Sequence, residues 1–211
     1  MKKKLNLKGF TLIELLVVIA IIAILAVVVV LTLNPAQLLA QSRDSNRVSD
    51  MATLKSAMAL YQADVATSTF GTANKLYEAY VTAGIGVGVT TTGATWWGYN
   101  TGDVTAWNAS TSRAVDGTGW IPIPFSTISS GAPLGSLPVD PLGVAAANTN
   151  CSAITGVAPC AYTFLSNSTG TYKMATKMES TKYNYLQAGD VVSTDGGNST
   201  TTYEAGTNVN L

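Results

Sequence analysis

The most informative stretch of this chain is KKKLNLKGFTLIE, residues 2–14. Four lysines precede Gly9, and an almost purely apolar segment of 24 residues then runs from Phe10 to Leu33, interrupted by two threonines and one acid, Glu14. As a helix this segment would be about 36 Å long, enough to cross a bilayer. A lone carboxylate in such a helix is costly unless it is paired, so Glu14 marks a functional position by default.

The combination of a basic leader, the Gly9–Phe10 junction and an early glutamate resembles the prepilin signal of type IV pilins and type II secretion pseudopilins. The resemblance implies that a prepilin peptidase cuts after Gly9 and methylates the new amino group of Phe10. It also implies that an assembly ATPase and its inner-membrane platform add the subunits to a helical homopolymer. Phe10 and Glu14 are then the assembly residues, because the Phe10 ammonium group can pair with Glu14 of a neighbouring subunit.

Two other interpretations of the apolar segment remain open. A secretory signal peptide has an apolar region of roughly 7–15 residues, shorter than this one, and Leu38-Leu39-Ala40 is a weak cleavage site. A plain membrane anchor fits the length but leaves Glu14 without a purpose. The lysines predict a cytoplasmic N-terminus. We therefore expect a single-pass membrane protein with an extracytoplasmic C-terminal domain, which later becomes part of an extracellular or periplasmic filament.

The resemblance implies an α+β fold of the type IV pilin kind, in which a long N-terminal helix packs against a small C-terminal antiparallel sheet. The predicted divisions are a leader peptide at 1–9, a transmembrane or filament-core helix at 10–33, its amphipathic continuation at 34–68, a variable region with Gly, Thr and Trp at 69–136, and a β-sheet region at 137–211.

The continuation of the helix shows a clear apolar period. Pro35 predicts a kink or a melted turn, after which one helix of about 57 residues in total, counted from Phe10, should end near Ala66. Spacings of three and four indicate one buried stripe, formed by Val48, Met51, Leu54, Met58, Tyr61 and Val65. The charged residues Arg43, Asp44, Arg47 and Asp50 lie mostly off this stripe, and we expect them to form an ordinary solvated helix face. A specific contact between subunits is the alternative.

The region at 69–136 contains two short β-like runs, at 85–92 and 121–128, among turn residues. It also carries four tryptophans, which could form a sugar- or surface-binding platform. Tryptophans of this kind more often pack a loop onto its domain.

The C-terminal part has a more regular pattern. The segment LPVDPLG at 137–143 resembles the LP-x-DP-x-G segment of major pseudopilins, with Leu142 where that family commonly has Trp. Apolar and polar residues alternate around Tyr162–Leu165 and again over Tyr172–Glu179. With Asn167–Gly170 between them, the two runs predict an antiparallel hairpin whose one buried face lies on the helix.

Cys151 and Cys160 enclose eight residues that include a glycine and a proline. A disulfide closes such a loop easily and stabilises the fold by about 2–3 kcal/mol, and it would indicate an oxidising compartment. Two free thiols or half a metal site are the alternatives, although a zinc site would need two further ligands. We predict the disulfide, which would hold the loop that enters the hairpin at Ala161.

Asp190, Asp195 and Asn198 form an oxygen-rich cluster near the C-terminus. Calcium takes six to eight oxygen ligands, and major pseudopilins hold a calcium ion in a C-terminal loop, so the resemblance makes these three residues candidate ligands. Their spacing does not reproduce an EF-hand, and Asp-Gly-Gly-Asn is also a favourable turn. A calcium site and a polar turn both remain open, and no cofactor is otherwise required.

Composition narrows the function. The chain has no histidine, which removes the commonest general base, and it shows neither a nucleophile elbow nor a phosphate-binding loop, so we expect no enzyme. Without its leader the chain has four more acidic than basic residues, and we expect no nucleic-acid binding. The predicted function is a structural subunit of a type IV pilus-like or type II secretion pseudopilus filament. The alternative is a minor pilin that acts as an adhesin or a DNA-uptake binding module.

Overall fold

The first helix begins immediately after Thr11. The computed structural model describes residues 9–80, 97–100, 102–143 and 161–211, and helix α1 spans Leu12–Leu33. The Thr11 hydroxyl accepts a hydrogen bond from the Glu14 N–H (3.3 Å), and the Glu14 carboxylate accepts one from the Thr11 N–H (2.9 Å), a reciprocal capping box. The segment Leu12–Val30 has a mean hydropathy of 3.4, so by length and composition it could cross a membrane.

The break predicted at Asn34–Pro35 is confirmed, and it is complete. Asn34 adopts a left-handed conformation (φ 40°, ψ 74°), which ends α1. Pro35 is then the first residue of helix α2, Pro35–Asp64. An N–H at this position would have no acceptor within the helix, so proline, which lacks the N–H, costs no hydrogen bond there. The chain therefore forms two helices instead of one kinked helix. Its contacts also divide it after Leu39, and Ala40–Leu211 form a compact unit of their own.

The predicted apolar stripe of α2 is buried. Met51, Leu54, Met58 and Tyr61 are at most 2% exposed, while Val48 and Val65 are half-buried. The four buried side chains share one core cluster with aromatic and apolar residues of the sheet, including Phe164, Tyr172 and Met174. The hydrophobic period of α2 is thus explained by its packing on the sheet.

The sheet has five strands in the order β2-β1-β3-β4-β5. The strands are β1 Lys75–Ala79, β2 Ala106–Ser110, β3 Thr163–Ser166, β4 Tyr172–Thr176 and β5 Tyr203–Gly206. β1 and β2 pair in parallel, and the other neighbours are antiparallel. The α+β class and the β3–β4 hairpin, in which Phe164 pairs with Met174, are therefore confirmed.

Two strands, β1 and β2, lie inside 69–136, at positions where no strand was predicted. The β-like run at 121–128 instead contains one isolated bridge, Asp116 with Pro124, and the short 3₁₀ helix Phe125–Thr127. The run at 85–92 lies outside the described residues.

The hairpin has two buried faces, so the prediction of one buried face was wrong. The inner face packs on α2. The outer face of the sheet carries Leu76, Leu165 and Ala175, which form a second cluster with Trp97 and Tyr99. A loop that contributes large aromatic side chains covers this outer face, and the strands therefore lose contact with water on both sides.

Candidate functional site

The Gly9–Phe10 junction lies just before α1. Neither residue is helical, and both are exposed, Phe10 to 85%. The leader lysines at positions 2, 3, 4 and 8 lie outside the described residues. The site at which a peptidase would act is therefore an accessible, non-helical segment that leads directly into a helix.

Glu14 uses one of its two carboxylate oxygens in local hydrogen bonds. Its Oε2 accepts from the Thr11 N–H at 2.9 Å and from the Thr11 hydroxyl at 2.7 Å. Its Oε1 accepts no hydrogen bond from the residues that the structure describes. The negative charge also lies in the first turn of α1, where the helix dipole favours it.

The surroundings of Glu14 are hydrocarbon. Phe10, Ile13, Val17 and Val18 line a shallow groove beside the Glu14 side chain. Val17 and Val18 lie three and four positions after Glu14, so they share its face of the helix, and Phe10 lies just before the helix begins. A partner that covered this face would desolvate the carboxylate and leave Oε1 in need of a positively charged donor.

The charged residues at the start of α2 form a buried ion-pair cluster, and the expectation of a solvated face is wrong for Asp44 and Arg47. Both side chains are fully buried. Arg47 donates to Asp44 (2.7 Å), to both oxygens of Asp140 (2.6 and 2.9 Å) and to Glu179. Asp44 and Arg47 continue the stripe at spacings of three and four, and the opposite charges make their burial possible.

The ion-pair cluster connects three separate parts of the chain. Asp140 comes from the LPVDPLG segment and also accepts the Leu142 N–H (2.9 Å). Asp44 accepts the backbone N–H groups of Glu179 and Ser180 at 2.9 and 2.8 Å. Burial opposes the ionisation of Glu179, but hydrogen bonds from Arg43 and Arg47 hold the pKa of Glu179 below its usual value. The cluster thus fixes both segments on α2.

The tryptophans are packing residues where the structure describes them. Trp97 and Trp120 are fully buried, and Trp107 is half-buried. Trp120 also donates its indole N–H to the Pro138 carbonyl (3.0 Å), which holds the LPVDPLG segment. Trp96 lies outside the described residues. These burials argue against an exposed binding platform built on Trp97 and Trp120.

The three candidate calcium ligands bind other partners. The Asp190 carboxylate accepts from the backbone N–H groups of Leu186, Val192 and Ser193. The Asp195 carboxylate accepts the Gly197 and Glu204 N–H groups.

The third candidate, Asn198, directs its side-chain oxygen to the Lys173 ammonium group (3.2 Å). Among the described residues no group of three His, Cys, Asp or Glu side chains could hold a metal. In this arrangement the side-chain oxygens of Asp190, Asp195 and Asn198 all accept hydrogen bonds from the protein itself. Cys151 and Cys160 lie outside the described residues, so their disulfide stays a prediction.

Sequence reasoning missed Glu78, which lies on β1 and is only 4% exposed. Burial raises the pKa of this carboxyl to about 7. Its strand alternates Leu76, Glu78 and Tyr80 toward the aromatic outer face, where an ionised group is poorly solvated. The signal that could have identified it is a lone acid in the apolar run KLYEAY.

The Glu78→Gln variant should be more stable than the wild type at pH 8. A carboxyl whose pKa is higher in the folded state than in the unfolded chain stabilises fully below about pH 4.5, and this contribution is lost as the pH rises through about 7. The gain should be on the order of 2 kcal/mol at pH 8 and should vanish near pH 4. Denaturant unfolding of the full chain in detergent between pH 4 and 8 measures it. Tyr80→Phe is the control, because it keeps the carboxyl and should keep the wild-type slope.

Comparison with known proteins identifies a motif at the N-terminus of the chain. Residues 5–30 match the family model described as the prokaryotic N-terminal methylation motif, and the match includes Gly9, Phe10 and Glu14. No curated protein and no solved structure was found to match the chain. The chain therefore bears the prokaryotic N-terminal methylation motif, the hallmark of the prepilins of type IV pili and pseudopili.

Proposed function

We propose that this protein is a structural subunit of a type IV pilus-like or type II secretion pseudopilus filament. The observation that carries the proposal is the methylation motif at residues 5–30, placed at the start of an exposed apolar helix. A prepilin peptidase cuts after Gly9, and an inner-membrane platform with its assembly ATPase adds the mature subunit to the filament. The precursor is anchored in the membrane by α1, with the C-terminal unit on the extracytoplasmic side.

Polymerisation follows from the physical character of α1. The helix exposes large apolar side chains along its whole length, and such a surface must be covered by lipid or by copies of itself. Glu14 then sets the register: its free Oε1 receives the α-ammonium group of Phe10 from a neighbouring subunit, because any other register leaves a carboxylate unpaired in hydrocarbon. The apolar contacts supply the packing energy, and the ion pair supplies specificity.

Processing between Gly9 and Phe10 is the direct test of this proposal. Mass spectrometry of the mature protein from cells that contain the peptidase should show a chain that begins with methylated Phe10. A peptidase-deficient strain is the control and should retain the leader. A mature terminus at Gln41, as a conventional signal peptidase would leave, or an uncut precursor in cells that contain the peptidase would contradict the proposal.

A further inference from the structure

Lys173 places a fully buried ammonium group in the outer face of the sheet, on β4. Its Nζ donates to the Gly98 carbonyl (2.5 Å), the Leu211 main-chain oxygen (3.1 Å) and the Asn198 side-chain oxygen (3.2 Å). It also forms an ion pair with the Glu204 carboxylate. The ammonium group is thus surrounded by four oxygens from four different segments.

This set of partners has the composition of a small cation site. Main-chain carbonyls, a side-chain amide oxygen and a carboxylate are the oxygen types that calcium takes as ligands. Lysine offers three N–H donors and a single positive charge instead. The ring of Tyr99, whose centroid lies 5.1 Å from Nζ, closes a further side of the site.

The chain around Glu204 is built to keep the carboxylate in this position. Its Oε2 accepts the Ser199 N–H (3.0 Å), and its own N–H is held by Asp195 (2.6 Å). Gly98, with φ +77°, passes so near that a Cβ there would lie 2.6 Å from Glu204 Oε1. Gly197 lies against the same carboxylate and also has no room for a side chain.

We propose that Lys173 supplies the cation of this C-terminal loop cluster, so that the loops around residues 98, 198, 204 and 211 fold without a divalent metal. The oxygens of Asn198 and Glu204 are already engaged by the ammonium group, and a calcium ion beside them would be repelled by it. The Asp195 carboxylate, whose oxygens hold two backbone N–H groups, positions Glu204 and coordinates no ion.

The experiment is thermal unfolding of the full chain in detergent micelles, with 5 mM calcium chloride or with excess EDTA. The wild type should melt at the same temperature in both buffers. Lys173→Met, which keeps the apolar stem and removes the charge, should melt about 10 °C lower in both buffers, because the buried Glu204 is left unpaired. Lys75→Met is the matched control: this half-buried lysine on β1 lies 5.4 Å from the Tyr77 ring centroid, and its loss should shift melting by about 2 °C or less.

A second variant keeps the test decisive if Lys173→Met does not fold. Lys173→Met combined with Glu204→Gln removes both charges, so it should recover part of the lost stability and should fold. Two results would overturn the proposal. One is a wild-type melting temperature that EDTA lowers and calcium restores. The other is a Lys173→Met variant that melts at the wild-type temperature.

Discussion

Glu14→Leu subunits should enter the membrane and fold, yet they should fail to form fibres. The substitution removes the only carboxylate of α1 and leaves an apolar side chain that suits both lipid and a helical interface. The neighbour's Phe10 ammonium group then has no acceptor in the filament core, and the unpaired charge opposes every register. Sheared surface material should contain less than about one hundredth of the wild-type subunit, since a loss of 3–5 kcal/mol per contact corresponds to at least a hundredfold.

The Thr11→Ala variant separates pairing between subunits from capping within one helix. Thr11 is the N-cap of α1, and both of its polar groups bind Glu14. The alanine variant loses about 1 kcal/mol of helix capping but keeps the carboxylate, so fibres should form. Assembly defects of equal size in Thr11→Ala and Glu14→Leu would show that Glu14 acts through the helix cap. Normal fibre yield from Glu14→Leu would contradict the pairing argument itself.

Arg47→Met should destabilise the C-terminal unit by about 3–5 kcal/mol. Arg47 is the common donor to Asp44, Asp140 and Glu179, and its guanidinium group is fully buried. Methionine fills a similar volume, but it removes the cation that the three carboxylates share, and these carboxylates stay buried away from water. Denaturant unfolding of the full chain in detergent, followed by tryptophan fluorescence, measures the loss.

Arg43→Met is the matched control for Arg47→Met. Arg43 binds the same Glu179, but its side chain is 30% exposed and water can replace it. The expected cost is about 1 kcal/mol or less. Equal losses in the two variants would mean that burial does not govern the cluster.

Because the folded-state pKa of Glu179 is lowered, the contribution of Glu179 to the free energy of unfolding is present above about pH 4.5 and should be lost as the pH falls below that value.

The sequence predicted those parts of the fold that depend on local pattern. The stripe from Met51 to Tyr61 has the period of a half-buried helix, and the turn Asn167–Gly170 lies between two alternating runs, so α2 and the β3–β4 hairpin followed directly. Pro35 likewise predicted the helix break. In each case the deciding residues are within a few positions of one another.

The ion-pair cluster depends on contacts that no local pattern records. Asp44 and Arg47 have the spacing of the buried stripe, but charged side chains usually lie on a solvated surface. Their partners Asp140 and Glu179 are 93 and 132 positions from Arg47 along the chain. Only the folded chain shows that the charges compensate one another. The same holds for Lys173. The alternation of its strand predicts a solvent-facing side chain, and only the folded chain shows its oxygen partners.

The parallel pairing of β1 with β2 was also beyond local reasoning. The turn of an antiparallel hairpin can be recognised in the sequence. A parallel pair requires a longer crossover connection, whose direction is set by packing between residues that are distant in sequence. The polar alternation of the strands indicated one solvated face, but Trp97 and Tyr99 cover that face and bury it. The motif at residues 5–30 could be recognised without knowledge of distant contacts, because its residues are neighbours in the sequence.

The capping box at the start of α1 has a consequence for the order of events in biogenesis. Both of its members, Thr11 and Glu14, lie on the C-terminal side of the Gly9–Phe10 bond. A cut at that bond removes no donor or acceptor from the box. If the proposed function holds, the peptidase would meet a helix whose first turn is already closed, and it would release a subunit that needs no refolding at its new end. Maturation would change the charge at Phe10 while the backbone that carries it stays as it was.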